Sequence, residues 1–160
     1  MRTPVQALEA AGIDFVLHTH PAARTASDPH LTRFDHATSV KTLAFELPDG
    51  RLALVGIRGE WRARYGAVAQ ALAVPRSKLR QAPPELLAVA GMEPGGVSPV
   101  CDAASVVVLL DAAVPGMGKV YCGGGTAETT LELDADDILR VAALPLVASV
   151  AEPGDEVQAR

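Results

Sequence analysis

The chain has little of what usually announces a function. No apolar run approaches the length of a membrane span. Met1-Arg2-Thr3-Pro4 opens no signal-peptide apolar core, so the expected setting is cytoplasmic and without a membrane partner. Two cysteines, Cys101 and Cys122, make no disulfide framework and fit a reducing compartment. There is no Cys-x-x-Cys and no His-Glu pair at helical spacing. No Gly-x-Ser-x-Gly elbow, phosphate-cradling Gly-x-x-x-x-Gly-Lys or dinucleotide fingerprint occurs, and no paired carboxylates stand out. Aromatic residues make up 4% of the chain. A net charge of −5 argues against a generic nucleic-acid coat protein.

What remains is a globular composition, with 49% hydrophobic residues in 160. That length predicts one domain over residues 1–151 and a polar tail over 152–160. Charge is unevenly placed. Arg51, Arg58, Arg62, Arg64, Arg76, Lys78 and Arg80 lie in a stretch whose one acid is Glu60, while the chain from Glu128 onward is acidic. The first stretch could face phosphates; a solvated helix face is the competing reading.

Thr3, Pro4 and Gln6 predict a capped helix that ends at Gly12. Ile13 to His20 alternates as a strand. Residues 21–38 read as a loop with one helical turn near Ser27. Val40–Leu47 and Arg51–Ile57 read as strands joined by a Pro48-Asp49-Gly50 turn. Arg62–Ala73 reads as an amphipathic helix with arginines outward. A short strand is expected over Arg76–Gln81 and a short helix over Pro84–Ala90. Ser105–Leu110 reads as a strand buried on both faces. Lys119–Cys122 and Thr129–Leu133 form a hairpin across Gly123-Gly124-Gly125, and Asp134 caps a helix that runs to about Ala143.

Two segments carry candidate chemistry. In Gly91 to Pro99, paired glycines permit unusual backbone conformations and Pro99 stiffens the exit. The N–H groups of Gly95, Gly96, Val97 and Ser98 can then form a nest for a carbonyl oxygen or developing negative charge. A plain connector is an equally good reading of such a loop. The second is Lys41, a lone cation heading the otherwise apolar strand Val40-Lys41-Thr42-Leu43. It either snorkels or meets an anionic ligand. His18 and His20 share a strand face and, with His30 or His36, could ligate zinc; hydrogen-bonding surface histidines are the better reading.

The Lys41 strand, the Asp49-Gly50 hairpin, and Gly95 to Pro99 before a buried strand resemble, in that order, the YbaK/prolyl-tRNA-synthetase-associated family of aminoacyl-tRNA editing domains. The resemblance spans about residues 13–141. It implies an α/β fold with a mixed, partly barrel-like central sheet surrounded by helices. It implies hydrolysis of the ester joining a small amino acid, such as alanine or cysteine, to tRNA(Pro), in trans and without a cofactor or metal. Lys41, Gly95, Gly96 and Ser98 would then be the catalytic set. Thr42, Val97, Pro99, Arg58, Arg62 and Arg64 would bind substrate. The partners would be tRNA and prolyl-tRNA synthetase. Two departures stand out. Residues 21–38 lack the family's clean helix, and Val100-Cys101-Asp102 follows Pro99 where glycine-lysine is common. A non-catalytic domain that binds a tRNA end or a synthetase, and a zinc hydrolase using His18 and His20, are the alternatives.

Overall fold

A computed structural model describes residues 1–22 and 33–154. The expected helical turn near Ser27, His30 and the last six residues lie outside the described residues. Helix α1 (Pro4–Ala11) begins on the full capping box of Thr3 and Gln6 and ends on Gly12 in the left-handed conformation. Strand β1 is Val16–Thr19. Strands β2 (Val40–Glu46) and β3 (Leu52–Arg58) form the expected hairpin.

The next segment departs from expectation. Trp61–Ala63 is a short strand, β4, and helix α2 spans Tyr65–Ala71. Arg62 therefore sits on a strand and Arg64 at the N-cap, so the arginines do not line a helix face. A single 3₁₀ turn takes Arg76–Lys78, which leaves strand β5 only Arg80–Gln81. Then follow α3 (Pro84–Val89), β6 (Val107–Asp111), β7 (Lys119–Gly123), β8 (Thr129–Asp134) and α4 (Ala135–Val141). Two strands were not anticipated: β9 (Leu144–Ala148) and β10 (Ala151–Pro153). Glu152 and Pro153, expected in the tail, pair with Arg62 and Trp61.

The mixed α/β architecture is as expected. Five strands run in the order β5-β2-β3-β6-β9, with β3, β6 and β9 parallel and β2 antiparallel to β3 and β5. A second, antiparallel sheet has the order β1-β8-β7, and β4 pairs with β10. The barrel-like part amounts to one bridge, where Ser39 pairs with Tyr121 and joins the first two sheets.

Alternation along β3 and β6 sends side chains to two cores. Leu54, Val108 and Leu110 face the three-stranded sheet, α1, α3 and α4, against Leu131, Leu8, Leu87 and Ile138. Val55, Ile57 and Leu109 face α2, against Val68 and Leu72. Each such leucine or isoleucine contributes about 1.5–3 kcal/mol by leaving water. β6 is buried on both faces, as its valines suggested.

Asp111 ends β6 as a buried carboxylate. Its oxygens accept the backbone N–H groups of Ala113 at 2.9 Å, Val150 at 2.8 Å and Ala151 at 2.9 Å. It thereby holds β10 to the sheet across nearly 40 residues. Asp111→Ala leaves buried donors unpaired at about 1–3 kcal/mol each. The expected result is a fall in Tm of at least several degrees, since about 1 kcal/mol moves a domain of this size by roughly 2–4 °C. An unchanged melting curve would remove Asp111 from that role.

Candidate active site

β5 reaches only Phe45 and Glu46 of β2, so the first half of β2 has an unpaired edge. Where this edge meets β7 lies a cavity of about 320 Å³, at the small end of ligand sites. Lys41, Thr42 and Leu43 line one wall. Gly95 and Val97 line a second. Tyr121, Cys122 and Gly123 of β7, with Thr129 and Thr130 of β8, form a third. His20, Phe34 and His36 close the remaining side. Of the six aromatic residues in the chain, Phe34 and Tyr121 stand here with ring centroids 5.0 Å apart. Arg33 lies 4.8 Å over the Phe34 ring.

Lys41 is half-buried, and desolvation lowers its pKa. Among the described residues no Asp or Glu lines the cavity and no acid pairs with Lys41. An unpaired ammonium in a partly apolar cavity favours an anion or a strongly polarised oxygen. Thr42 Oγ1 is buried and has no hydrogen-bond partner among the described residues.

The glycine loop departs in part from the expected nest. Gly95 has φ +85°, the left-handed region. The N–H groups of Gly95 and Val97 make no hydrogen bond among the described residues, and both residues line the cavity. The other two expected donors are engaged. Gly96 N–H donates to the Glu93 carbonyl at 3.0 Å, and Ser98 N–H to Met92 Sδ at 3.4 Å. Gly96 and Ser98 are buried, and neither lines the cavity.

The Ser98 hydroxyl accepts Val100 N–H at 3.1 Å. It also bonds to Cys122, a pull that burial outweighs by pushing that thiol up to about 12. Ser98 thus ties the loop to β7 behind the cavity lining, and Cys122 stays a neutral thiol. Cys101 is raised by burial as well. Neither cysteine supplies a thiolate at neutral pH. Pro99 is buried behind the loop.

Gly123-Gly124-Gly125, expected as a bare turn, is the loop's mate. Gly125 N–H donates to the Gly96 carbonyl at 2.8 Å, and Glu93 N–H to the Gly125 carbonyl at 2.9 Å.

Arg58 precedes β4, Arg62 lies on it and Arg64 follows it, and none of the three lines the cavity. Arg58 lies 5.6 Å from the Trp61 ring, Arg62 pairs with Glu152 at 3.4 Å, and Arg64 Nη2 donates to the Ser149 carbonyl at 2.9 Å. Through β3, Arg58 stands opposite Val40, next to the cavity wall.

His18 and His20 flank Phe34 on one face, as their spacing suggested. His18 Nε2 meets Glu132 at 2.8 Å, and His20 bonds to Thr130. Among the described residues no three His, Cys, Asp or Glu side chains gather as a metal site. Sequence reasoning missed Phe34, Tyr121, Thr129 and Thr130. The triple glycine was the available signal, since glycine in a strand end marks close backbone approach.

The family model of the aminoacyl-tRNA editing domain matches residues 20–141. The chain belongs to the aminoacyl-tRNA editing domain family. A solved protein titled only as hypothetical protein APE2540 superposes with TM-score 0.74 at 26% identity, over 91% of this chain and 96% of its own. A candidate trans-editing enzyme for prolyl tRNA synthetase superposes with TM-score 0.73 at 28% identity, over 93% of this chain and 95% of its own. No curated protein matches the sequence. Among the described residues no helix of this editing domain is long and apolar enough to cross a membrane.

Proposed function

We propose that this cavity deacylates mischarged tRNA in trans, cleaving the ester between a small amino acid such as alanine or cysteine and tRNA(Pro). The observation that carries this reading is the meeting, in a small cavity of a family member, of Lys41 and two loop N–H groups, none of which has an acid or hydrogen-bond partner among the described residues. The N–H groups of Gly95 and Val97 suit the ester carbonyl and the oxyanion it becomes. Lys41 suits the phosphate or hydroxyls of the terminal adenosine. Thr42 and Leu43 border the amino acid, and the cavity's size favours a small side chain. An ester needs no protein nucleophile, which agrees with the burial of Ser98 and the neutrality of Cys122. Arg58, Arg62 and Arg64 would hold the acceptor-stem backbone, and prolyl-tRNA synthetase is the natural partner for such a substrate. Residues 1–151 would act as one editing unit.

The test is a deacylation screen over alanyl-, cysteinyl-, seryl- and prolyl-tRNA(Pro), paired with binding across a salt series. The expected result is turnover of the alanyl or cysteinyl ester, with affinity falling as salt rises in proportion to the phosphates neutralised. Arg58→Ala with Arg62→Ala should flatten that slope and raise KM more than it lowers kcat. Binding without turnover of any ester would make the chain a tRNA-end binder of the same fold.

A further inference from the structure

His20 is tethered through both ring nitrogens. Nδ1 lies 2.8 Å from the Pro21 carbonyl oxygen. A carbonyl only accepts, so in the neutral imidazole Nδ1 carries the proton and Nε2 the lone pair. Nε2 lies 2.9 Å from Thr130 Oγ1, so the threonine hydroxyl donates to it. Thr130 is buried, and both residues line the cavity. A hydroxyl whose proton is committed to an imidazole turns its oxygen lone pairs to whatever enters. The array of hydroxyl, oriented base and backbone acceptor is a proton-withdrawing chain.

The other candidate acceptors are less suited. His18 is engaged by Glu132. His36 is exposed and makes no side-chain hydrogen bond among the described residues. Cys122 is a thiol held neutral by burial, and among the described residues no carboxylate lines the cavity.

We propose that His20 and Thr130 are the proton-accepting pair of this cavity. The inference rests on the deacylase reading above. A water molecule attacks the ester carbonyl carbon and gives its proton to Thr130 Oγ1 as that hydroxyl passes its own to His20 Nε2. When the carbon–oxygen bond to the ribose breaks, the proton returns by the same route to the departing ribose oxygen. The products are the free amino acid and the tRNA 3′ hydroxyl, and the pair ends as it began.

Among the described residues, the titratable and charged groups around His20 are Lys41 from β2, His36 before it, Tyr121 from β7, Glu128 and Glu132 from β8 and its approach, His18 from β1, and Arg33. An acidic limb in the rate must therefore be assigned by variants. The experiment is single-turnover deacylation of alanyl- and cysteinyl-tRNA(Pro) between about pH 5 and about pH 8. The wild-type rate should rise with pH to a plateau. His20→Gln should lower the plateau by about 100-fold or more and abolish the limb. His18→Gln and His36→Gln should keep the limb whatever their rates. Thr130→Val should behave as His20→Gln, and Thr130→Ser should retain most of the rate. Tm and affinity for a non-hydrolysable amide-linked aminoacyl-adenosine should be unchanged in His20→Gln, which separates a proton role from a structural one.

An active wild type whose limb survives in His20→Gln overturns the pair and leaves the deacylase reading standing. An acylated protein in the mass spectrum would overturn the water step, since Thr130 would then be the nucleophile. A wild type inactive on every ester of the screen overturns the deacylase reading, and the pair with it.

Discussion

Lys41→Met is expected to cut kcat/KM for aminoacyl-tRNA by about 100-fold or more while leaving Tm equal to or above that of the wild type. The two halves share one cause. Burial without an acid partner disfavours the charged lysine, so its folded-state pKa lies below its ordinary value. The penalty on folding is fully present at any pH below that lowered pKa, where the lysine is charged in both folded and unfolded chains. It fades as pH rises through the lowered value towards the ordinary one. At neutral pH Lys41 therefore works against stability, and methionine of similar reach removes the penalty. A bound phosphate or polarised oxygen would repay the same desolvation, which places the lysine's use in the complex. Parallel measurements of single-turnover rate and thermal melting check this. Lower Tm with activity intact would make Lys41 a packing residue whose alkyl stem matters more than its charge.

The parts of the fold that were legible in the sequence are those set by local rules. Thr3, Pro4, Gln6 and Gly12 are a complete set of helix signals. The β2–β3 hairpin and β6 follow from turn chemistry and valine-rich runs. Arg62–Ala73 misled because arginines among alanines mimic an amphipathic helix. β4 is three residues long, too short to alternate, and its partner β10 lies some 90 residues away. β9 contains Pro145, which by itself argues against a strand, yet an edge position next to β6 tolerates it.

The site divides the same way. Lys41 and the Gly95–Pro99 loop were visible because a lone charge and a glycine pair break the local pattern. Phe34, Tyr121 and Thr130 look ordinary in their own segments and acquire meaning where β7 and β8 meet the edge of β2. Ser98 was expected as a loop N–H donor, but its burial and the bond of its N–H to Met92 are tertiary facts that no neighbouring residue encodes.

Gly96→Ala is the second large effect, and its cause differs from the one the loop's sequence suggests. Gly96 does not have positive φ, and its N–H is already bonded to Glu93. A Cβ added there would lie 2.2 Å from the carbonyl carbon of Thr126 and 2.4 Å from its nitrogen. Those are backbone atoms, so no rotamer change relieves the clash. The facing position is equally tight, since a Cβ on Gly123 would meet the Val97 carbonyl oxygen at 2.1 Å. The two glycine segments therefore lie backbone against backbone, with the Gly125-to-Gly96 hydrogen bond between them. Gly96→Ala must push the loop off the turn, at the roughly 1–3 kcal/mol typical of overpacking. The N–H groups of Gly95 and Val97 move with it, so activity should fall by about 100-fold or more on every aminoacyl ester. Gly66→Ala is the control. Its added Cβ meets nothing within 4 Å in helix α2, so it should match or modestly exceed the wild type in Tm. Loss of Tm and rate together in Gly96→Ala supports the packed interface. Loss of rate at unchanged Tm would return Gly96 to direct contact with the ester carbonyl. Wild-type rates throughout would reduce Gly95 to Pro99 to a connector and take the oxyanion site away from it.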